Sequence, residues 1–149
     1  MANKAIDVAK YIINHEKDKN RSITNLRLQK LLYFCQGAMI MNTTDNSLCF
    51  DDDIEAWDYG PVVPSVYYEY KVHYFLEIPY QKDFDSSIIA NKSIIDSTID
   101  AASRFSNKTL VDISHSQKPW ADTYKKEKGG RIPQRLIISF FKELADAKK

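Results

Sequence analysis

Near the start of the chain, Ile6, Ala9, Ile12 and Ile13 recur three or four positions apart, while Asp7, Lys10 and Glu16 occupy the rest of the wheel. That spacing predicts a helix over residues 3–17. The polar run HEKDKNRS ends it. Thr24 then reads as an N-cap, because a threonine hydroxyl can accept a bond from an otherwise orphaned helix amide. Behind it Leu28, Leu31, Leu32, Cys35, Ala38 and Met39 predict a second helix over 25–41. It is apolar on more than one side, as suits a central helix. Ile95, Ile99, Ala102 and Phe105 share a face and predict a helix over 93–105. Asn107 reads as the cap of a short helix through Leu110, Val111 and Ser114. After Pro133, the residues Leu136, Ile137, Phe140, Phe141 and Leu144 mark an amphipathic C-terminal helix.

The pattern between these stretches is different. MNTTDNS predicts a loop, and Ile54, Ala56 and Trp57 a small strand. The run PVVP excludes helix between Pro61 and Pro64, since proline lacks the amide proton and pushes its predecessor to extended geometry. Pro64 itself suits a first helical position. A helix is predicted from it through VYYEYKVHYF, with Val66, Tyr67, Tyr70 and Tyr74 on one face. Residues 76–91 hold proline and several turn formers and predict a loop with at most a short strand. Long loops in compact domains are usually functional, so this one is a candidate contact surface. KPWADTYKKEKGG reads as a polar, basic segment closed by Gly129 and Gly130. No repeat or shift in composition divides the chain. The expectation is one domain over 1–149, mainly α, a single compact helical domain with a small β-hairpin or short sheet.

Composition narrows the function classes. A chain of 149 residues can bury a sizeable core without staples. No stretch approaches the ~18 apolar residues of a spanning helix. The first residues carry scattered charges rather than the apolar run of a secretory signal. A cytoplasmic location is therefore expected, with no membrane partner. A net charge of +1 argues against non-specific nucleic-acid binding, which needs a strong basic footprint. The charges are nevertheless segregated. Asp45, Asp51, Asp52, Asp53, Glu55 and Asp58 form an acidic block, and Lys118, Lys125, Lys126, Lys128, Arg131 and Arg135 a mainly basic one. Such blocks can meet inside the fold, steer a charged partner, or simply form two solvated surfaces.

Catalytic and metal chemistry find little support. His15, Cys35, Cys49, His73 and His115 are scattered, without the close pairs of a zinc site. Cys35 lies among Leu31, Leu32, Phe34 and Met39, not in the electropositive, part-exposed setting of a reactive thiol. Ser114 and Ser116 flank His115 without a glycine elbow. Four glycines in all leave no phosphate cradle, and Asp51–Asp53 lack the spacing of a calcium loop. No catalytic residue, metal or cofactor is expected.

The most distinctive stretch is AWDYGPVVPSVYYEYK, residues 56–71. Gly60 permits a turn before Pro61 that a side chain would block. Trp57, Tyr59, Tyr67, Tyr68 and Tyr70 offer apolar bodies with polar tips, suited to locking a turn onto a core or to anchoring a partner. With LRLQKLLYFCQG (26–37) and LVDISHSQKPWADTY (110–124) on either side, the chain resembles the Panacea domain family of SocA-like and GepA-like phage-associated proteins. The carrying residues are Leu28, Lys30, Leu31, Tyr33 and Phe34 in the first motif. Trp57, Tyr59, Gly60, Pro61 and Tyr67 carry the second, and His115, Pro119 and Trp120 the third. Ser114 stands where the family often has threonine, and Asp112 near where it often has serine. The resemblance implies an antitoxin of a toxin-antitoxin system that neutralises a cognate protein toxin by direct binding, often encoded in a prophage. It also implies an alternative, a proteolytic adaptor delivering the toxin to a AAA+ protease, or a phage regulatory protein. A homo-oligomer is left open. Most of the motif residues are expected to shape the domain, some to touch the toxin.

Overall fold

In the computed structural model, which describes residues 2–149, α1 (Ala5–Asp18) and α2 (Asn25–Asn42) fall where the periodicity placed them. The Thr24 hydroxyl accepts from the Arg27 amide and starts α2 as expected. One of the acidic residues starts α1: Asp52 accepts from the Ala5 amide at 3.1 Å, a carboxylate at the positive end of a helix. The chain continues through β1 (Glu55–Trp57), β2 (Gly60–Val62), α3 (Pro64–Tyr70), α4 (Lys92–Ala102), α5 (Asn107–Ser116), α6 (Lys118–Lys126) and α7 (Gln134–Ala147). The fold is mainly α with one two-stranded antiparallel sheet among the described residues. No helix among them is long and apolar enough to cross a membrane.

Helix α2 packs against α1, α3, α4, α5, α7 and β2. Leu28, Leu31, Leu32, Tyr33, Cys35 and Ile40 are all fully buried on it. Burial raises the Cys35 thiol well above its ordinary pKa, so the buried thiol stays protonated and unreactive. Gly37 lets α7 approach, because a Cβ there would land on the Phe141 ring. Gly37→Ala is therefore expected to destabilise by ~1–3 kcal/mol, the cost of overpacking, despite alanine's better helix propensity. Thermal melting checks this. Adding Phe141→Leu should return part of the loss, as coupled neighbours do.

Four expectations are corrected. The helix from Pro64 ends at Tyr70 and passes into a 3₁₀ turn, Lys71–His73. Tyr74 takes a left-handed φ of 54° and points outward, away from buried Val66 and Tyr70. Helix α4 stops at Ala102, so Phe105 lies exposed beyond it instead of extending the apolar face. Ser106, not Asn107, caps α5 by accepting from the Thr109 amide at 3.1 Å. The segment 118–126 read as merely polar is α6, whose Pro119, Trp120 and Thr123 are buried. Propensity missed it because the short helix is held by what its one apolar face packs against.

The loop 76–91 contains a 3₁₀ turn, Ser86–Ile88, and no strand. Its first part is strapped to the N-terminal helices. Glu77 accepts from the Ile23 amide at 2.7 Å, and Gln81 exchanges two bonds with Asn14. The two charge blocks meet along β1. Gly129 and Gly130 bond Ala56 at 2.7 and 2.8 Å, Ile132 bonds Ile54 at 2.8 Å, and Arg131 lies 3.7 Å from Asp53. The basic segment thereby covers what would be an open sheet edge.

Candidate protein-binding groove

The hairpin that carries the aromatic motif cannot complete its own hydrogen bonding, since Pro61 and Pro64 bring no amide protons. β1 and β2 pair Glu55 with Val62, Ala56 with Pro61 and Trp57 with Gly60. The remaining main-chain groups must find partners elsewhere. Central helix α2 supplies them. Gln29 accepts from the Val63 amide at 2.8 Å, Asn25 donates to the Tyr67 carbonyl at 3.2 Å, and the two side chains bond each other at 2.9 Å. Gln36 serves the preceding loop in the same way. It donates to the Phe50 carbonyl at 2.8 Å and accepts from the Cys49 and Phe50 amides. Arg27 donates to the carbonyls of Ala102 and Phe105 and to the Asn107 side chain.

Lys30 is the most constrained member of this set. It is fully buried and donates to the Pro61 carbonyl, and burial pulls its ammonium down to about 7. Gly60 crosses directly over it with φ 107°. A Cβ at that position would sit 3.0 Å from the Lys30 Cε and 2.8 Å from the Ser114 hydroxyl. Glycine is thus required twice, by the backbone angle and by the close approach.

From the other side, α6 grips the same turn. Trp120 donates from its indole to the Trp57 carbonyl at 2.8 Å, and the Tyr124 hydroxyl donates to Asp58 at 2.6 Å. His115, Trp120 and Tyr124 form a continuous stack, with centroids 3.9 and 4.4 Å apart. His115 Nε2 is buried with no hydrogen-bond partner among the described residues, and the Ser114 hydroxyl is turned to the Val111 carbonyl. Tyr33 donates to Gln117 at 2.7 Å and meets Phe34 and Phe141 edge-on, tying α2 to the start of α6.

The motif residues therefore divide. Leu28, Lys30, Leu31, Tyr33, Gly60, Pro61, Pro119 and Trp120 are buried and hold the domain together. Phe34 and His115 are half-buried supports. Trp57 contributes its carbonyl to the scaffold, but its ring is only half-buried and stands edge-on to Tyr67 at 4.8 Å. Tyr67 in turn meets Tyr68 at 5.5 Å. These rings wall a groove of about 1300 Å³, which Tyr59, Tyr74 and Phe75 also line. Exposure reaches 71% at Tyr59, 57% at Tyr68, 77% at Tyr74 and 84% at Phe75, far more apolar surface than scattered single residues leave. The sequence reading places residues 72–75 on a helix and not on this surface. Asn25, Gln29 and Gln36 also escaped notice. Their signal was amides on an otherwise apolar helix, in a chain whose PVVP run leaves main-chain groups without partners.

A family model described as antitoxin SocA-like, Panacea domain, matches residues 28–121, well over half of the chain. The protein belongs to that family. The Panacea match runs from Leu28 in α2 to Ala121 in α6, so it encloses the hairpin, most of α2, the start of α6 and the aromatic rings of the groove. An antitoxin-like domain points to a non-catalytic role. Neither the curated proteins nor the solved structures offer a match. One cluster outside the Panacea motifs has ligand-type groups close together: donor atoms of His15, Glu16 and Asp100 lie within 4.8 Å of one another. A cation already spans it, because the Arg21 guanidinium bridges Glu16 and Asp100.

Proposed function

We propose that this protein is an antitoxin that neutralises a cognate protein toxin by gripping it in the aromatic groove, in the cytoplasm and without catalysis. The observation that carries the reading is the contrast between a hydrogen-bonded, buried scaffold and an exposed aromatic wall. Buried Gln29, Lys30 and Trp120 hold the hairpin, while Tyr59 at its turn, Tyr68 on α3 and Tyr74 and Phe75 beyond α3 stand exposed. Rigid aromatic side chains are the usual anchors of protein interfaces, because they give large contact area for little entropy. Tyr74 adds to this: a left-handed tyrosine stores on the order of 1–3 kcal/mol of strain to hold its ring outward.

The test is co-expression with the product of the neighbouring gene, the expected toxin. Growth rescue and co-purification of the two chains are expected. Tyr68→Ala with Phe75→Asp should abolish both while leaving the melting temperature within a few degrees of the parent, since both residues are exposed. Full neutralisation by that double variant would remove the groove from the mechanism. A toxin that disappears only when this protein and an ATP-dependent protease are both present would favour the adaptor reading instead.

A further inference from the structure

The walls of the groove are apolar and its unpaired charges are positive. Lys71 places its ammonium 5.1 Å from the centre of the Tyr68 ring, and Lys128 places its own 5.7 Å from the centre of Tyr124. Both lysines are exposed and line the groove, and both rest on aromatic faces rather than on carboxylates. The acidic group beside them, Asp58, already accepts from the Tyr124 hydroxyl. Besides these charges the groove is lined mainly by rings and aliphatic side chains such as Val72, with a few neutral polar groups such as Thr24 and Asn107.

We propose that the segment of the toxin seated in this groove is an apolar, leucine- or aromatic-rich stretch whose flanking carboxylates pair with Lys71 and Lys128. This rests on the groove being the toxin-binding surface. An ammonium resting on a ring lacks a strong protein acceptor, so a carboxylate gives it a charge-assisted bond in place of a weaker contact. The surrounding apolar walls exclude water and strengthen that bond. A single-stranded nucleic acid fits less well. Its bases can stack on the rings, but its backbone needs a continuous cationic track, and Lys71 and Lys128 are the two exposed cations lining the groove.

The experiment selects peptides from a random display library on the purified protein, with parallel selections on Phe75→Asp and on the double variant Lys71→Glu/Lys128→Glu. The expected result is peptides with a Leu/Phe/Ile core and Asp or Glu at its ends, lost on Phe75→Asp. Their affinity, read by fluorescence anisotropy, should fall about tenfold or more on the double charge reversal and recover when the peptide acids are exchanged for lysine. Peptides that need Phe75 but show no acidic preference and no response to charge reversal would overturn this inference and leave the groove in place. Peptides indifferent to Phe75→Asp, or no enrichment at all, would overturn the groove itself. Binding of single-stranded oligothymidylate that is lost on Phe75→Asp would overturn the proposal in favour of a nucleic-acid ligand.

Discussion

Trp120→Ala will lower the stability of this protein by ~3–5 kcal/mol, the range for emptying a buried aromatic site. The indole is buried in the middle of the His115–Trp120–Tyr124 stack and is the group by which α6 holds the Trp57 carbonyl. Its removal leaves a cavity and an unpaired carbonyl together. Domains of this size have about 5–15 kcal/mol of stability in all, so the variant will be near its limit at physiological temperature. Trp57→Ala will behave differently. Its ring is half-buried and its indole bonds the side chain of Glu55 at 2.9 Å, so the loss should be ~1–2 kcal/mol. The groove, however, loses a wall, and neutralisation should fail. Urea midpoints for the two variants, set beside a co-expression assay, check both statements. If Trp57→Ala proves as destabilising as Trp120→Ala, the division between scaffold and contact ring is mistaken.

Lys30→Met will remove a pH dependence. In the folded protein the Lys30 ammonium titrates near 7, because burial disfavours its charge and no carboxylate compensates. In the unfolded chain a lysine titrates at about 10.4. Below pH 7 both states are protonated and the folded state carries the full penalty of the buried charge. Between about 7 and 10 the unfolded state holds a proton that the folded state has released, so stability from this group rises with pH, by up to ~1.4 kcal/mol per unit. Other buried groups pull the opposite way. Cys35, Cys49 and Tyr33 have raised pKa values, so their ionisation in the unfolded chain lowers stability as pH rises past about 8.5 for the thiols and 10 for the phenol. The quantity to follow is therefore the difference between parent and Lys30→Met at each pH. Lys30→Met is expected to equal or exceed the parent at pH 6, where it deletes the penalty. At pH 9 it should fall below it, because the neutral amine's bond to Pro61 is lost and the carbonyl is left unpaired. A pH-independent difference would mean that Lys30 stays protonated within the fold across this window, as it does in the unfolded chain.

The periodic apolar spacing was enough to place α1, α2 and α7 and the capping role of Thr24, because each of these depends on residues within a few positions of one another. The proline run and Gly60 likewise announced a corner, since their backbone restrictions are intrinsic. The order of the three motifs was enough to indicate the Panacea family. What these motifs do was decided by the tertiary structure. Lys30 and Trp120 lie 90 positions apart in the chain, yet both bond the main chain of one hairpin. Only folding makes that hairpin's unpaired carbonyls and amides meet side chains from α2 and α6. The same holds for the aromatic surface. Whether Tyr74 and Phe75 face inward on a continued helix or outward at the rim of a groove depends on where α3 stops, and it stops where the core beneath it ends. Local sequence sets the angles a chain can take, whereas burial, a property of the whole assembled body, chooses which faces stay in water.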